Sequence, residues 1–163
     1  MIEVHGRIHN FPREIKILIA SFLILLSIGF YTGLLFVNET TEIAPDGIEQ
    51  QYLGNEDVVD ADVMMFKKSS REILTLVHNH ILSLSIIFFI LALILSTTSI
   101  NKKVKHFLMF EPFVSVLLTF GGIYLMWTGI IWFKYIVMIS GMLMTFSFLA
   151  STLIIFAQLF KKK

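Results

Sequence analysis

The sequence predicts an all-α membrane protein, a four-helix transmembrane bundle whose helices run up-down-up-down. Of its 163 residues 56% are hydrophobic, and the mean hydropathy is +0.79, which is too apolar for an ordinary soluble domain. The chain also contains four apolar stretches with the length, about 20 residues, that crosses a hydrocarbon core. We expect a single membrane domain over residues 1–163, with these predicted spans: about 15–37, 69–98, 106–128 and 133–159.

The first span is predicted to be a permanent anchor. Its apolar core is longer than the roughly 7–15 residues of a signal-peptide core. The following sequence, VNETTEIAPDG, offers no small-x-small cleavage site. Within the span, Gly29 and Gly33 have the spacing that lets membrane helices approach closely.

The segment between the first two spans, residues 38–68, is predicted to be an acidic loop outside the cytoplasm. Nine of the twelve acidic residues lie between Glu39 and Glu72. The turn sequence PDG at 45–47 and the low apolar content predict a segment that is either disordered or laid over the bundle. In the second case three side chains would attach it: Ile48, Tyr52 and Leu53.

The second span starts with a capping box, because Ser69 is followed three residues later by Glu72. No proline or glycine interrupts the chain from there to Thr98. One continuous helix is therefore predicted, with its first turns outside the bilayer and with His78 and His80 near the outer interface.

The last two spans are joined by a short turn, as an up-down-up-down bundle requires. Small residues in these spans favour close helix crossings: Gly121, Gly122, Gly141, Ser147 and Ser151. Aromatic side chains near the predicted outer interface suit a membrane-surface belt: Phe30, Tyr31, Trp127, Trp132 and Tyr135.

Basic residues predict that both termini are cytoplasmic. Three lie in the N-terminal arm, three in the loop 99–105 and three at 161–163, whereas only Lys67, Lys68, Arg71 and Lys134 lie on the other side. Short cytoplasmic segments are enriched in lysine and arginine. We therefore expect a multi-pass protein of the bacterial inner membrane.

The composition also excludes several kinds of chemistry. The chain has no cysteine, so it cannot form a disulfide, an iron–sulfur cluster or a catalytic thiolate. No soluble catalytic domain is predicted, no catalytic residues are assigned, and nothing indicates binding to nucleic acid.

His78 and His80 are the candidate cofactor ligands. Residues two apart differ by about 200° around a helix, so both cannot bind one metal ion from a regular helix. His78 shares a row with Ser85 and Ala92, and small residues mark a helix interface. We therefore expect His78 to face the other spans and His80 to be more exposed.

A haem b group is one possible cofactor for His78, with a methionine such as Met126 or Met138 or a residue of another subunit as the second axial ligand. Copper is another, with Met64 and Met65 as additional soft ligands. The alternative is that the histidines only mark the membrane boundary, bonded to a carbonyl or to the acidic loop.

Glu111 is the single acidic residue inside a predicted span. A carboxylate at that depth is costly unless it is paired, and such residues often mark proton or ion paths. We expect a structural ion pair with Arg13, Lys16 or Lys105. A proton path is the alternative, for which the spans offer few polar partners.

The run YLGNEDVV…MMFKKSSREILTLVHNHILSLSIIFF resembles a group of small bacterial four-span inner-membrane proteins. The resemblance covers about residues 45–150, and it implies a topology but no activity.

Two functions follow as hypotheses. The first is a non-catalytic membrane subunit that assembles with, or stabilises, a larger envelope or respiratory complex. Its partners would be the lipid bilayer and either other membrane subunits or further copies of the chain. The second is a redox or quinone-interacting module that binds haem or a metal near the periplasmic face, through His78 more than through His80.

Overall fold

The computed structural model describes residues 8–56 and 63–161. After one 3-10 turn, Ile8–Asn10, the chain forms five helices: α1 (Arg13–Thr41), α2 (Pro45–Leu53), α3 (Ser70–Ser96), α4 (Lys102–Trp127) and α5 (Phe133–Leu159). All except α2 are long and apolar enough to cross a membrane. No β-strand occurs in the described ranges. The predicted fold class, an all-α protein with four membrane spans, is confirmed.

α3 begins with the predicted capping box. Ser69 Oγ accepts a hydrogen bond from the Glu72 N–H, and the Glu72 carboxylate accepts one from the Ser69 N–H at 2.8 Å. Both N–H groups belong to the helix start, where no helical carbonyl is available to them. This local pairing fixes where α3 starts.

α3, α4 and α5 form the packed part of the bundle. Short connections, 97–101 and 128–132, make successive helices antiparallel neighbours. Large apolar side chains fill their interface: Phe88, Leu91, Leu95, Val116, Ile123, Met126, Phe148 and Ile155. We call the end where α4 meets α5 the α2 end, and the opposite end, with Lys102 and Lys105, the lysine end.

α2 is a short helix inside the segment predicted as a loop. Pro45 occupies its first turn, where a missing N–H costs little. Ile48 is buried, and Tyr52 and Leu53 pack against the core. The segment is therefore laid over the bundle, one of the two predicted alternatives, and burial raises the pKa of Tyr52 to about 12.

Polar contacts hold α2 and the following segment on the bundle. Lys134 Nζ donates to Asp46 Oδ1 and to Glu49 Oε2, each at 2.7 Å. Trp127 Nε1 donates to the Lys68 carbonyl at 2.8 Å. The Asn55 side chain, just after α2, accepts a hydrogen bond from the Met65 N–H at 2.6 Å and so links α2 to the segment before α3. The α2 end is thus covered by chain that is tied to both α4 and α5.

α1 is the least packed span. It touches the bundle along one narrow face: Ile19, Leu23, Leu26 and Phe30. The Phe30 ring stacks on that of Phe148 in α5, with 4.0 Å between the ring centroids. Most of its other apolar side chains are exposed, so α1 lies at the edge of the bundle.

A tight corner joins α1 to α2. Glu42 and Ile43 both adopt left-handed backbone conformations, with φ of 52° and 51°, which is unusual for a β-branched residue such as Ile43. Gly47 lies directly against the Thr41 carbonyl, in a position with no room for a Cβ atom. The corner therefore depends on this glycine.

Candidate functional site

Glu111 lies inside the bundle, at the interface of α4 and α5. At 1.5 Å per residue it is about 13 Å along α4 from Lys102. Ser115, one turn further along α4, donates its hydroxyl to one carboxyl oxygen, and Ser147 of α5 donates to the other. Both serines are buried, and Glu111 is half-buried. A carboxyl group is thus bonded across two spans.

A second polar pair lies beside this one. Thr119 Oγ1 and Ser140 Oγ are 2.7 Å apart, and both residues are buried. Glu111, Ser115 and Thr119 recur every four residues, so they share one face of α4. We call the three residues bonded through Glu111 and this pair together the polar seam: Glu111, Ser115, Thr119, Ser140 and Ser147.

Two more buried hydroxyls follow the polar seam toward the lysine end. Ser151 is four residues after Ser147 and Thr152 is next to it; they are 1% and 6% exposed. Neither Ser151 Oγ nor Thr152 Oγ1 has a hydrogen-bond partner among the residues that the structure describes. Toward the α2 end, by contrast, the same interface is closed by apolar side chains: Ile123, Met126 and Val137. The buried hydroxyls without a described partner therefore lie on one side of Glu111, toward the lysine end.

The prediction that Glu111 forms an ion pair with Arg13, Lys16 or Lys105 is wrong. No ion pair among the described residues includes Glu111, and Lys105 points elsewhere. Lys105 Nζ donates to the Ser96 carbonyl at 2.9 Å and also to the Thr98 carbonyl. These carbonyls lie at and just beyond the C-terminal end of α3, where a cation is favoured by the helix dipole.

Both histidines are exposed, and it is His80, not His78, that contacts another span. The His80 ring stacks on that of Phe120 in α4, with centroids 4.6 Å apart. His78 is exposed beside residues of its own helix, Leu74, Thr75 and Asn79. The expectation that His78 faces the other spans is therefore wrong, because at this level the packed side of α3 runs through Ile73, Val77 and Leu84.

The ring of His80 is also oriented by its own helix. Its Nδ1 lies 2.9 Å from the Leu76 carbonyl, a contact in which Nδ1–H donates and Nε2 keeps its lone pair. Histidines that ligate metals commonly have such a partner on the other ring nitrogen. Within the described residues, however, no three histidine, aspartate or glutamate side chains come together as a metal site.

The residues proposed for copper are not brought together. Met64 and Met65 line a surface depression with Gln51 and Lys67, and His78 lines a different one. The candidate site that the structure does bring together is the polar seam. Sequence reasoning found Glu111 but missed three other residues of the polar seam, Ser115, Thr119 and Ser140. The four-residue spacing on α4 could have indicated Ser115 and Thr119.

Comparison with known proteins gives one finding. A family model described as a transmembrane helical domain matches residues 42–163. The match covers α2 to α5 and leaves out α1. No curated protein and no solved structure matches the chain.

Proposed function

This chain belongs to that family of transmembrane helical domains, and we propose that it is a non-catalytic subunit that assembles with a larger membrane complex. α1 is the helix that docks on another membrane subunit, and α3 to α5 form the stable body that holds it. The protein lies in the bacterial inner membrane with both termini in the cytoplasm.

The proposal rests on one face of α1. We call it the α1 open face: Leu18, Leu25, Gly29, Gly33 and Phe36. These residues are exposed, Leu25 at 70%, and a Cβ atom built on Gly29 or on Gly33 would meet nothing within 4 Å. Two glycines one turn apart, flanked by large apolar side chains, form a groove that a second helix fits closely.

Gly122 of α4 is an example of a small residue against which a neighbouring helix packs closely. A Cβ on Gly122 would lie 3.0 Å from Val137 Cγ2 and 3.5 Å from Phe133 Cδ1, so α5 already fills that space. Gly29 and Gly33 of α1 have no such neighbour within residues 8–56 and 63–161. Helix association in lipid depends on close packing, which supports a partner outside the chain.

Co-purification in a gentle detergent tests this function. Gly33→Leu fills the groove at a position where an added Cβ meets no described residue within 4 Å, so it should remove the partner and leave the fold intact. Gly141→Leu is the matched control, because Gly141 of α5 also has nothing within 4 Å of an added Cβ. If both variants retain the same companions as the wild type, or if the wild type has none, the proposal is wrong.

The orientation is tested with single cysteines, since the chain has none of its own. We expect Met64→Cys, at an exposed position, to react with an impermeant maleimide in intact spheroplasts. Lys161→Cys should react only after the membrane is broken. The opposite pattern would place both termini outside the cytoplasm.

A histidine-bound cofactor is the second candidate, and the observation that favours it is the orientation of the His80 ring. With Nδ1 directed at the Leu76 carbonyl, Nε2 is the nitrogen available to haem b or to a metal. A visible absorption spectrum of the purified protein tests this: a haem band should disappear in His80→Ala and persist in His78→Ala. A colourless, metal-free preparation would reject this candidate.

A further inference from the structure

Glu111 has hydrogen-bonding partners that suit both of its protonation states. As a carboxylate it accepts hydrogen bonds from the Ser115 and Ser147 hydroxyls. A serine hydroxyl can also accept, so a neutral carboxyl can donate its own proton to one of these oxygens. That serine then turns its hydroxyl hydrogen toward the carbonyl four residues earlier. Two other hydroxyl residues of α5, Ser140 and Thr145, donate to the carbonyl four residues earlier in this way, at 2.7 and 2.9 Å.

Among the described residues, the charges near Glu111 offer no compensation for a permanent negative charge. On its own helix, Lys105 donates to carbonyls at and beyond the end of α3. α5 carries no charged residue between Lys134 and Lys161, and α3 carries none after Glu72. On α1 the basic residues are confined to its start, Arg13 and Lys16, and neither is in an ion pair with Glu111. An intramembrane carboxylate without a counter-charge is costly, and binding a proton removes that cost.

We propose that Glu111, held by Ser115 and Ser147, is a reversible proton-binding site within the membrane. Ser151 Oγ and Thr152 Oγ1, buried and unpartnered one turn beyond Ser147, offer hydrogen-bonding groups on the lysine side of the site. On the other side the seam ends at Thr119 and Ser140, before apolar residues. The site therefore takes up and releases a proton, and it is not a conduit across the bilayer.

The test uses carbodiimides, which react with protonated carboxyl groups. A hydrophobic one, dicyclohexylcarbodiimide, enters the membrane, and a water-soluble one does not. In the purified full-length protein in detergent or lipid, we expect the hydrophobic reagent to modify the Glu111 peptide, with labelling that falls as the pH rises. The water-soluble reagent should label exposed acids instead.

Two variants make the result specific. Glu111→Gln keeps the shape and the serine contacts but should lose the label completely. Glu14→Gln, at an exposed position in the first turn of α1, is the matched control and should keep it. If a folded wild-type protein is unlabelled at Glu111 at acidic pH, or labelled equally at every pH, the proposal is wrong.

Ser147→Ala separates a proton site from a merely structural carboxyl. Removing this donor disfavours the charged form, so labelling of Glu111 should persist to higher pH than in the wild type. Infrared difference spectra provide an independent reading. The carbonyl stretch of a protonated carboxylic acid should appear on acidification in the wild type and be lost in Glu111→Gln. An unchanged pH profile in Ser147→Ala, or a missing infrared band, would overturn the assignment.

Discussion

α1 and the α3–α5 group are both built from apolar helices, yet they are attached to the protein in different ways. α3, α4 and α5 bury large side chains against one another and share hydrogen bonds such as those of Glu111. α1 buries Ile19 and Leu23 but leaves the opposite side open. Its firmest attachment is the corner with α2. Hydrophobicity alone therefore determines that a helix enters the membrane, and complementary small, large and polar residues determine what it packs against.

The largest expected effect is the loss of a buried leucine in the packed group. Leu95→Ala removes a side chain that is 0% exposed, and the neighbouring helices cannot fully close the cavity. We expect a loss of about 2–5 kcal/mol in the free energy of unfolding, measured by denaturant titration in mixed micelles. A loss no larger than that of a lipid-facing leucine would mean that α3 is packed no better than α1.

Overpacking the α4–α5 interface should be nearly as damaging. Gly122→Leu drives a side chain into Val137 and Phe133, at a cost of about 1–3 kcal/mol. The matched change in α1 is Gly29→Leu, at a position where an added Cβ meets no described residue within 4 Å, and it should leave the thermal unfolding midpoint of the isolated chain unchanged. Equal shifts for the two variants would remove the distinction between the two regions.

The corner before α2 is the point where α1 can be detached. Gly47→Ala places a Cβ against the Thr41 carbonyl, and the backbone must move to accept it, at about 1–3 kcal/mol. Because this strain is local, we expect hydrogen exchange to increase in α2 and at the end of α1 while α4 and α5 stay protected. Uniform loss of protection would show that the corner is part of the main cooperative unit.

The smallest effect is expected on the α1 open face. Leu25→Ala should change the stability of the isolated chain by less than about 0.5 kcal/mol, as is usual for surface positions. Its effect should appear only in the yield of the co-purified partner. A clear fall in the stability of the monomer would mean that this face is already occupied within the chain.

The features that the sequence predicted well are those decided locally. The four spans follow from length and apolar content, and the start of α3 follows from Ser69 and Glu72. α2 was missed as a helix, because PDG at 45–47 is also a turn sequence. Its helical form accompanies contacts with residues far along the chain, such as Lys134.

In the candidate site, too, the features that depend on contacts far along the chain were not predicted. The depth of Glu111 could be predicted, but its partner Ser147 is 36 residues away and is selected by the rotation of α5 against α4. The order of His78 and His80 depends in the same way on which face of α3 receives α4. Small residues suggested one face, whereas the packed side of α3 beside these histidines runs through Ile73, Val77 and Leu84.

The length of α1 has a consequence for how this helix lies in bilayers of different thickness. A helix of 29 residues is about 43 Å long, whereas the hydrocarbon core measures about 30 Å. A long span adapts by tilting, and the tilt is normally set by neighbouring helices. Since α1 has few such contacts, its angle to the membrane normal should follow lipid chain length, and it should change before the α3–α5 group is disturbed.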